Sequence, residues 1–279
     1  MMRALREIDR IEWRVLGALR FVDATTGVPV ERGLRVEAPG GSLVRNRSGL
    51  YVIRHWDELA AHESEFLAPP ATPAPGSRTL SLSVTDPAGG YLSVAAQIRL
   101  PRASDPAQAA ASDSLFQPAV VPLYPSASAP VGANWAVLRA SLTETASGDA
   151  LGGALLRVRF NGTVLARGLT DWRGEALVPV VGVPVTTFSE DADAVVISEI
   201  NVSLEAAFDS ASGSRTPAAQ VRVGRPSAVL PLVDPSAIES AFNTLPHTQM
   251  ALSIAARRSQ SAVLSLNLMS SLSRMFWIV

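Results

Sequence analysis

The sequence predicts an all-β protein with two tandem β-sandwich domains and an irregular C-terminal extension. Apolar and polar residues alternate over runs of strand length, for example at residues 155–159 and 164–168. This period of two is typical of strands that bury one face. Glycine and Asx residues separate the runs, as in the turn at residues 171–174, where Asp can bond nearby backbone and Gly supplies a positive φ.

The pattern of strands and turns occurs twice along the chain. Each copy opens with a tryptophan before an apolar strand, Trp13 in the first and Trp135 in the second. Each continues into a turn made of a small residue and glycine, at residues 26–27 and 147–148. Solenoid repeats usually have periods of roughly 20–50 residues, much shorter than this spacing. The repeat therefore predicts two domains of one type.

The turns carry a resemblance to a known family. Residues 23–30 read DATTGVPV and fit a turn of the form D-x-x-T-G-x-P. Residues 170–176 fit a second form, T-D-x-x-G-x-Y, except that Ala176 stands where an aromatic residue is usual. Residues 46–51 of the first copy keep the aromatic, Tyr51, but lack the Thr-Asp pair. In these features both copies resemble the carboxypeptidase regulatory-like family of transthyretin-like or Cna-B-like sandwiches.

The resemblance implies transthyretin-like or Ig-like sandwiches without catalysis. In that family the module is an accessory or structural domain, despite the family's name. Its motifs are turn chemistry, which specifies a fold far better than a function. We therefore expect no enzymatic activity, no catalytic residues and no cofactor.

Four consecutive segments are expected. They are a first sandwich at residues 1–102, a linker rich in Pro, Ala and Ser at 103–134, a second sandwich at 135–225 and a docking extension at 226–279. A hairpin at residues 78–100 closes the first sandwich. The linker is expected to pack on a surface, because it is too apolar for a free tether.

Smaller elements are expected in both sandwiches and in the extension. The first sandwich should hold strands near residues 13–22, 33–38, 42–46 and 49–54. Residues 219–223 predict a short last strand of the second sandwich. Asp234 followed by Pro235 predicts a brief helix. Residues 250–256 and 262–268 alternate as strands, although their alanines leave a helix open.

Composition excludes several classes of function. The formal net charge is -1, so general electrostatic attraction to nucleic acid is not expected. All basic residues are Arg, and a phosphate-binding loop of the G-x-x-x-x-G-K-[ST] type is impossible without Lys. Cysteine is absent, which excludes disulfides and thiolate chemistry. No run reaches the roughly 20 apolar residues of a membrane span. The charged first ten residues argue against a signal peptide, so a cytoplasmic protein assembled into a particle is expected.

Two polar clusters are candidate metal sites. Residues 55–65 hold two histidines among four carboxylates, which are ordinary ligands for zinc or manganese. The spacing of His55 and His62 fits no established metal motif, however, and a solvated edge is the simpler interpretation. The acidic turn at residues 190–193 could hold calcium, but nothing supplies further ligands in register. We expect no metal site.

The last residues depart most clearly from ordinary patterns. Six apolar side chains are crowded there: Leu272, Met275, Phe276, Trp277, Ile278 and Val279. Chain ends are normally polar and frayed. We expect these side chains to be buried, either in a subunit interface or in the protein's own core. Aromatic residues and Met are enriched at interfaces, so they are candidate partner-docking residues.

Two functions remain open. In the first, the chain is a structural subunit of a large multi-copy assembly, since its layout resembles accessory proteins of phage tails and contractile injection particles. Its partners would be protein subunits, including further copies of itself, and neither nucleic acid nor a membrane span. In the second, the sandwiches bind carbohydrate or protein through their loops, with Trp56 and Trp172 as stacking residues.

Overall fold

The computed structural model describes residues 14–63, 70–184, 187–188, 195–196 and 199–268. Regular structure in these residues is mostly strand, which confirms the all-β class. The chain forms two compact units: the first takes Met1–Arg20, Glu37–Leu82 and Gln97–Val120, and the second takes Phe21–Val36, Ser83–Ala96 and Val121–Val279. The units are interleaved along the chain, and the four consecutive segments remain a prediction.

Seven strands precede residue 124. They are β1 (Gly17–Asp23), β2 (Arg35–Glu37), β3 (Gly41–Arg45), β4 (Tyr51–Trp56), β5 (Arg78–Thr85), β6 (Val94–Leu100) and β7 (Ala119–Leu123). A 3-10 turn at Asp57–Leu59 leads into the one-turn helix α1 (Ala60–Glu63), and a second 3-10 turn spans Pro106–Gln108. One sheet has the order β3-β4-β1-β7 and another the order β2-β5-β6.

The first unit buries alternate residues of its strands. Strands β1 and β4 pair antiparallel, with Gly17 opposite Ile53 and Leu19 opposite Tyr51. Leu19 and Ile53 have no solvent-exposed surface, and Trp56 is 5% exposed. The alternation seen in the sequence therefore marks the buried face here, as a period of two requires.

Eleven strands follow in the second unit. They are β8 (Ala136–Glu144), β9 (Ala150–Gly152), β10 (Leu155–Phe160), β11 (Thr163–Leu169), β12 (Glu175–Val180), β13 (Thr187–Phe188), β14 (Val195–Val196), β15 (Glu199–Ala207), β16 (Ser214–Thr216), β17 (His247–Ala255) and β18 (Ser259–Leu266). Two short helices lie between β16 and β17: α2 (Ala218–Arg222) and α3 (Pro235–Ala241).

Two of these sheets enclose the core of the second unit. One has the order β11-β10-β15-β17, and the other has the order β12-β8-β9-β16, with β18 paired in parallel to β8. Leu138 and Leu142 of β8 share one apolar cluster with Leu156 of β10 and Leu204 of β15, all without exposed surface. The unit is thus a β-sandwich whose two sheets bury their facing sides.

Residues 226–279 are not irregular throughout. The strands expected at residues 250–256 and 262–268 are present, and they belong to the sandwich. Strand β17 pairs antiparallel with β15 over nine positions, and β18 pairs with β8 over eight. Ile254 of β17 and Leu264 of β18 are buried in the apolar core. Buried and exposed residues alternate from Ala262 to Leu266 of β18, and burial of one face explains this pattern.

The strand expected at residues 219–223 is wrong. That stretch is helix α2, which starts after Pro217 and contains two alanines in five residues. No residue of α2 is buried, so no buried face favours a strand and helix propensity decides. The helix expected after Asp234 is confirmed. The Asp234 side chain accepts hydrogen bonds from the backbone N–H groups of Ser236 and Ala237.

Candidate docking surface

The six apolar side chains expected to dock partners lie outside the described residues. They are Leu272, Met275, Phe276, Trp277, Ile278 and Val279, and they come after β18 in the sequence. The acidic turn at residues 190–193 lies outside the described residues as well. Their roles stay predictions.

The histidine-rich stretch forms a hydrogen-bonded clamp. His55 Nε2 lies 2.9 Å from Asp57 Oδ1, and His55 Nδ1 lies 2.5 Å from Glu63 Oε1. Hydrogen bonds to Glu63 and then to Asp57 raise the pKa of His55. His62 points elsewhere and is 1% exposed. Within the described part of the chain, no three His, Cys, Asp or Glu side chains are grouped to hold a metal ion.

The two tryptophans proposed for ligand stacking differ in exposure. Trp56 is buried in the first unit, so it serves packing and cannot stack on a ligand. Trp172 is half-buried and lines a cleft of about 280 Å³ in the second unit. We call this cavity the end cleft. Its walls are formed by residues 86–93, 169–172 and 230–231, together with Ser126.

The first wall is held by a buried carboxylate. Asp86 accepts hydrogen bonds from the backbone N–H groups of Gly90 at 2.9 Å and Tyr91 at 3.1 Å. Its charge is paired with Arg32, whose Nη1 lies 3.0 Å from Asp86 Oδ2. The Tyr91 hydroxyl donates to Asp23 Oδ2 at 2.9 Å. These bonds fix the Tyr91 ring at the cleft.

The second wall is the turn between β11 and β12. The buried Thr170 hydroxyl donates to the Leu151 carbonyl at 2.7 Å and accepts from the Ala154 N–H. Asp171 Oδ1 accepts from the N–H groups of Arg173 at 2.8 Å and Glu175 at 3.1 Å. The turn is therefore rigidly defined, as the Asx pattern in the sequence predicts.

The third wall is a stretch of irregular backbone before α3. The Val233 carbonyl accepts a hydrogen bond from the Ala95 N–H at 2.8 Å. A Cβ added at Gly153 would lie 2.7 Å from Val233 Cγ1 and 3.1 Å from Pro231 Cβ, so the stretch packs directly on that glycine. Leu230 is left 57% exposed at the mouth of the cleft.

The carboxylates and the phenol of the end cleft are all held by neighbouring groups. Both of its carboxylates, Asp86 and Asp171, are engaged by backbone N–H groups and by an arginine. Burial and the hydrogen bond to Asp23 raise the pKa of Tyr91 to about 12, so the phenol stays protonated at neutral pH. The volume lies just below the roughly 300–1,000 Å³ of small-molecule sites, which suits one or two bulky side chains.

An exposed apolar run adjoins the end cleft. Val223, Val229, Leu230 and Leu232 are 70%, 75%, 57% and 43% exposed. We call residues 223–232 the apolar run. Contiguous exposed apolar side chains are typical of surfaces that contact other proteins.

A second groove lies beside the end cleft on the sheet that contains β8. We call it the sheet groove, and it is about 450 Å³ in volume. Its lining includes Ala127, Arg139, Ser141, Arg173, Glu175 and Val263. Two of these follow end-cleft residues in the chain, since Ala127 is next to Ser126 and Arg173 is next to Trp172. Val263 on β18 is 73% exposed. The two cavities are therefore neighbours, with an exposed edge strand at the far side.

Sequence reasoning named only Trp172 among the residues of this surface. It missed Tyr91 because Tyr91 is fixed by Asp23, which is 68 residues away in the chain. A signal for the apolar run was present in the sequence, where residues 228–232 read AVLPL between Pro226 and the capping Asp234. A comparison of the chain with models of protein families finds no match, and a comparison with curated proteins finds none either.

Proposed function

We propose that the chain is a non-enzymatic structural subunit of a large assembly, built in the cytoplasm as a phage-tail-like or contractile injection particle. It docks through its apolar C-terminal residues and through the edges of its sandwich. The carboxypeptidase regulatory-like resemblance supports this role, because such modules act as rigid structural domains.

The exposure of the apolar run is the observation that carries the proposal. Four large apolar side chains lie within ten residues, and the most exposed is Val229 at 75%. Isolated exposed apolar residues are ordinary on protein surfaces, whereas contiguous ones mark interaction sites. Burial of this run against a neighbouring subunit would remove the cost of hydrating it.

Two strand edges offer a second mode of docking. Among the described residues, β17 pairs only with β15, and β18 pairs only with β8. Each therefore ends its sheet with a row of backbone groups available to a further strand. An added strand would gain main-chain hydrogen bonds, and Val263 would supply an apolar contact. Repetition in a multi-copy particle would make modest single contacts sufficient.

Sedimentation from the native host tests the proposal. A tagged full-length chain should run with megadalton particles after gentle lysis, and imaging of that fraction should locate it in them. The double variant Val223→Ser/Val229→Ser and a variant lacking residues 270–279 should both shift toward the top of the gradient. Val44→Ser is the matched control, since Val44 is a 44% exposed valine of β3. A full-length chain that stays at the top would contradict the proposal.

The half-exposed Trp172 favours a second candidate, a module that binds carbohydrate or protein ligands. Tyr91 and Trp172 both line the end cleft, and aromatic faces are common platforms for ligands. A glycan array and a Trp172→Ala control would test it. Glycan binding that is lost in Trp172→Ala would favour this candidate over the structural role.

A further inference from the structure

We propose that the end cleft receives the apolar residues 272–279 of a second copy of this chain. This inference rests on the proposed function as a multi-copy subunit, and it names one contact by which copies associate. The occupant is the segment that follows β18 in the neighbouring copy.

The cleft and the segment are chemically matched. The cleft offers the half-exposed Trp172 and the 57% exposed Leu230, with its carboxylates already neutralised. The segment supplies Phe276, Trp277 and Ile278 in succession. A bulky aromatic side chain inserted into a preformed apolar pocket is the commonest kind of binding hot spot. A volume of about 280 Å³ suits this better than an extended ligand.

Strand β18 ends at the same end of the sandwich as the cleft. Leu266, near the end of the described chain, is opposite Glu144 of β8. The turn that carries Trp172 is bonded to β8 two residues earlier, where the Leu142 N–H donates to the Gly174 carbonyl at 2.9 Å. With a rise of roughly 3.3 Å per residue and strands about 4.8 Å apart, the exit is close to 7 Å along and 10 Å across from that turn.

The direction of β18 favours a neighbouring copy over the same molecule. Strand β18 runs parallel to β8, so the chain leaves the sheet past the level of the end cleft. Only residues 269–271 separate the described chain from Leu272. A segment that continues in the direction of β18 reaches the cleft of a copy placed end to end with it.

Placement at one end also fixes the symmetry. When donor and acceptor share one end, two copies that meet there exchange segments reciprocally and close as a twofold dimer. Donor and acceptor at opposite ends would instead build an open chain. We therefore expect a discrete dimer as the first step of association.

A complementation experiment tests the contact. The donor chain is full-length Trp172→Ala/Leu230→Asp, which lacks the acceptor, and the acceptor chain lacks residues 270–279. Light scattering should show a concentration-dependent dimer for the unmodified chain and monomers for each variant alone. The mixture should dimerise, but its dissociation constant should be higher than that of the unmodified dimer by roughly tenfold or more. The reason is that only one segment occupies a cleft in the mixed dimer, whereas two do so in the unmodified dimer. Leu230→Asp alone should weaken the unmodified dimer, and Val28→Asp, at a 58% exposed site outside both the cleft and the apolar run, should not.

Three results would overturn the inference. The first is a dimer that the cleft substitutions do not affect. The second is a mixture that stays monomeric although both variants keep the circular dichroism and melting temperature of the parent, and the third is a full-length chain that is monomeric at all concentrations. The last would indicate that the segment folds back in its own molecule. Failure here is separable from failure of the proposed function, because co-sedimentation with particles is measured independently of dimerisation.

Discussion

The guanidinium carbon of Arg157 lies 3.4 Å above the centre of the Phe242 ring. Arg157 projects from the outer face of β10, and Phe242 follows helix α3, so this contact docks the helix on the sheet. Arg157 is also bonded to Glu205, its direct neighbour on β15, with Nη2 2.6 Å from Oε2. Both partners are largely buried, with side chains 9% and 14% exposed.

Replacement of Arg157 should therefore lower the free energy of unfolding. Arg157→Met removes the cation from Phe242 and leaves Glu205 buried without its main partner, so we expect a loss of about 3 kcal/mol in the free energy of unfolding. Urea unfolding at neutral pH measures it. Arg159→Met is the control, because that side chain is 35% exposed and 3.8 Å from Glu205, and exposed pairs contribute only about 0–1 kcal/mol. Equal losses in the two variants would contradict this account.

Ionisation of Glu239 in α3 should make the stability of the fold depend on pH in the acidic range. Its carboxylate bridges Arg157 at 3.4 Å and Arg167 at 3.1 Å, two like charges that face each other across β10 and β11. Burial acts to raise the pKa of Glu239, but the hydrogen bond and charge of Arg167, with the charge of Arg157, outweigh it and hold the pKa below its usual value.

The sign of that dependence follows from the lowered pKa. The ionised carboxylate stabilises the fold fully above the usual Glu pKa of about 4.3, and the stabilisation is lost as pH falls through the lower, folded-state pKa. Glu239→Gln should be less stable at pH 7 and should show a flatter loss of melting temperature below about pH 4.3. Glu199→Gln, which removes an exposed pair with Arg258, should cost only about 0–1 kcal/mol at pH 7.

Turn chemistry was the part of the fold most readable from sequence. Asn46 Oδ1 accepts from the N–H groups of Ser48 and Leu50, two and four residues on, and Asp171 Oδ1 accepts from Arg173 and Glu175 in the same pattern. The two copies thus share one turn even though the first lacks the Thr-Asp pair. Local side-chain bonds of this kind are set by residue type and spacing alone.

Pairing between distant strands was not readable in that way. Nothing in the residues of β18 specifies that it lies parallel to β8, which is over a hundred residues earlier, because register depends on the whole buried face. The end cleft was missed for the same reason, since residues 86–93, 169–172 and 230–231 meet only in the folded chain. The apolar segment after β18 could be identified from the sequence, because six apolar side chains are crowded into a few consecutive positions.

His62 should weaken the fold as pH falls. It is 1% exposed. Burial, and then the charge of Arg14, lower its pKa, and they outweigh an interaction with the Pro70 backbone that acts to raise it. The folded state therefore binds this proton less readily than the unfolded state, and stability is full above the usual His pKa of about 6.5 and declines below it.

A direct comparison isolates His62. His55 has a raised pKa and acts in the opposite sense, so the measurement is the difference between parent and His62→Leu at each pH. As pH falls from 7.5 to 5, the melting temperature of His62→Leu should increase relative to that of the parent. A constant difference across this range would show that His62 is not the titrating group.

Gly174 should tolerate no side chain. Its φ is +73°, and an added Cβ would lie 2.5 Å from the Leu142 carbonyl oxygen, which is backbone and cannot move aside. Gly162 is a matched control, with φ of +81° and nothing within 4 Å of an added Cβ. Gly162→Ala should cost about 1–2 kcal/mol from the left-handed conformation alone. Gly174→Ala should cost clearly more in urea unfolding, because the steric clash adds to the same strain. It should also weaken the proposed dimer, since this turn carries Trp172. Equal costs at the two glycines would mean that the turn can shift away from β8 freely, and the end cleft would then lack the rigid wall on which its docking role depends.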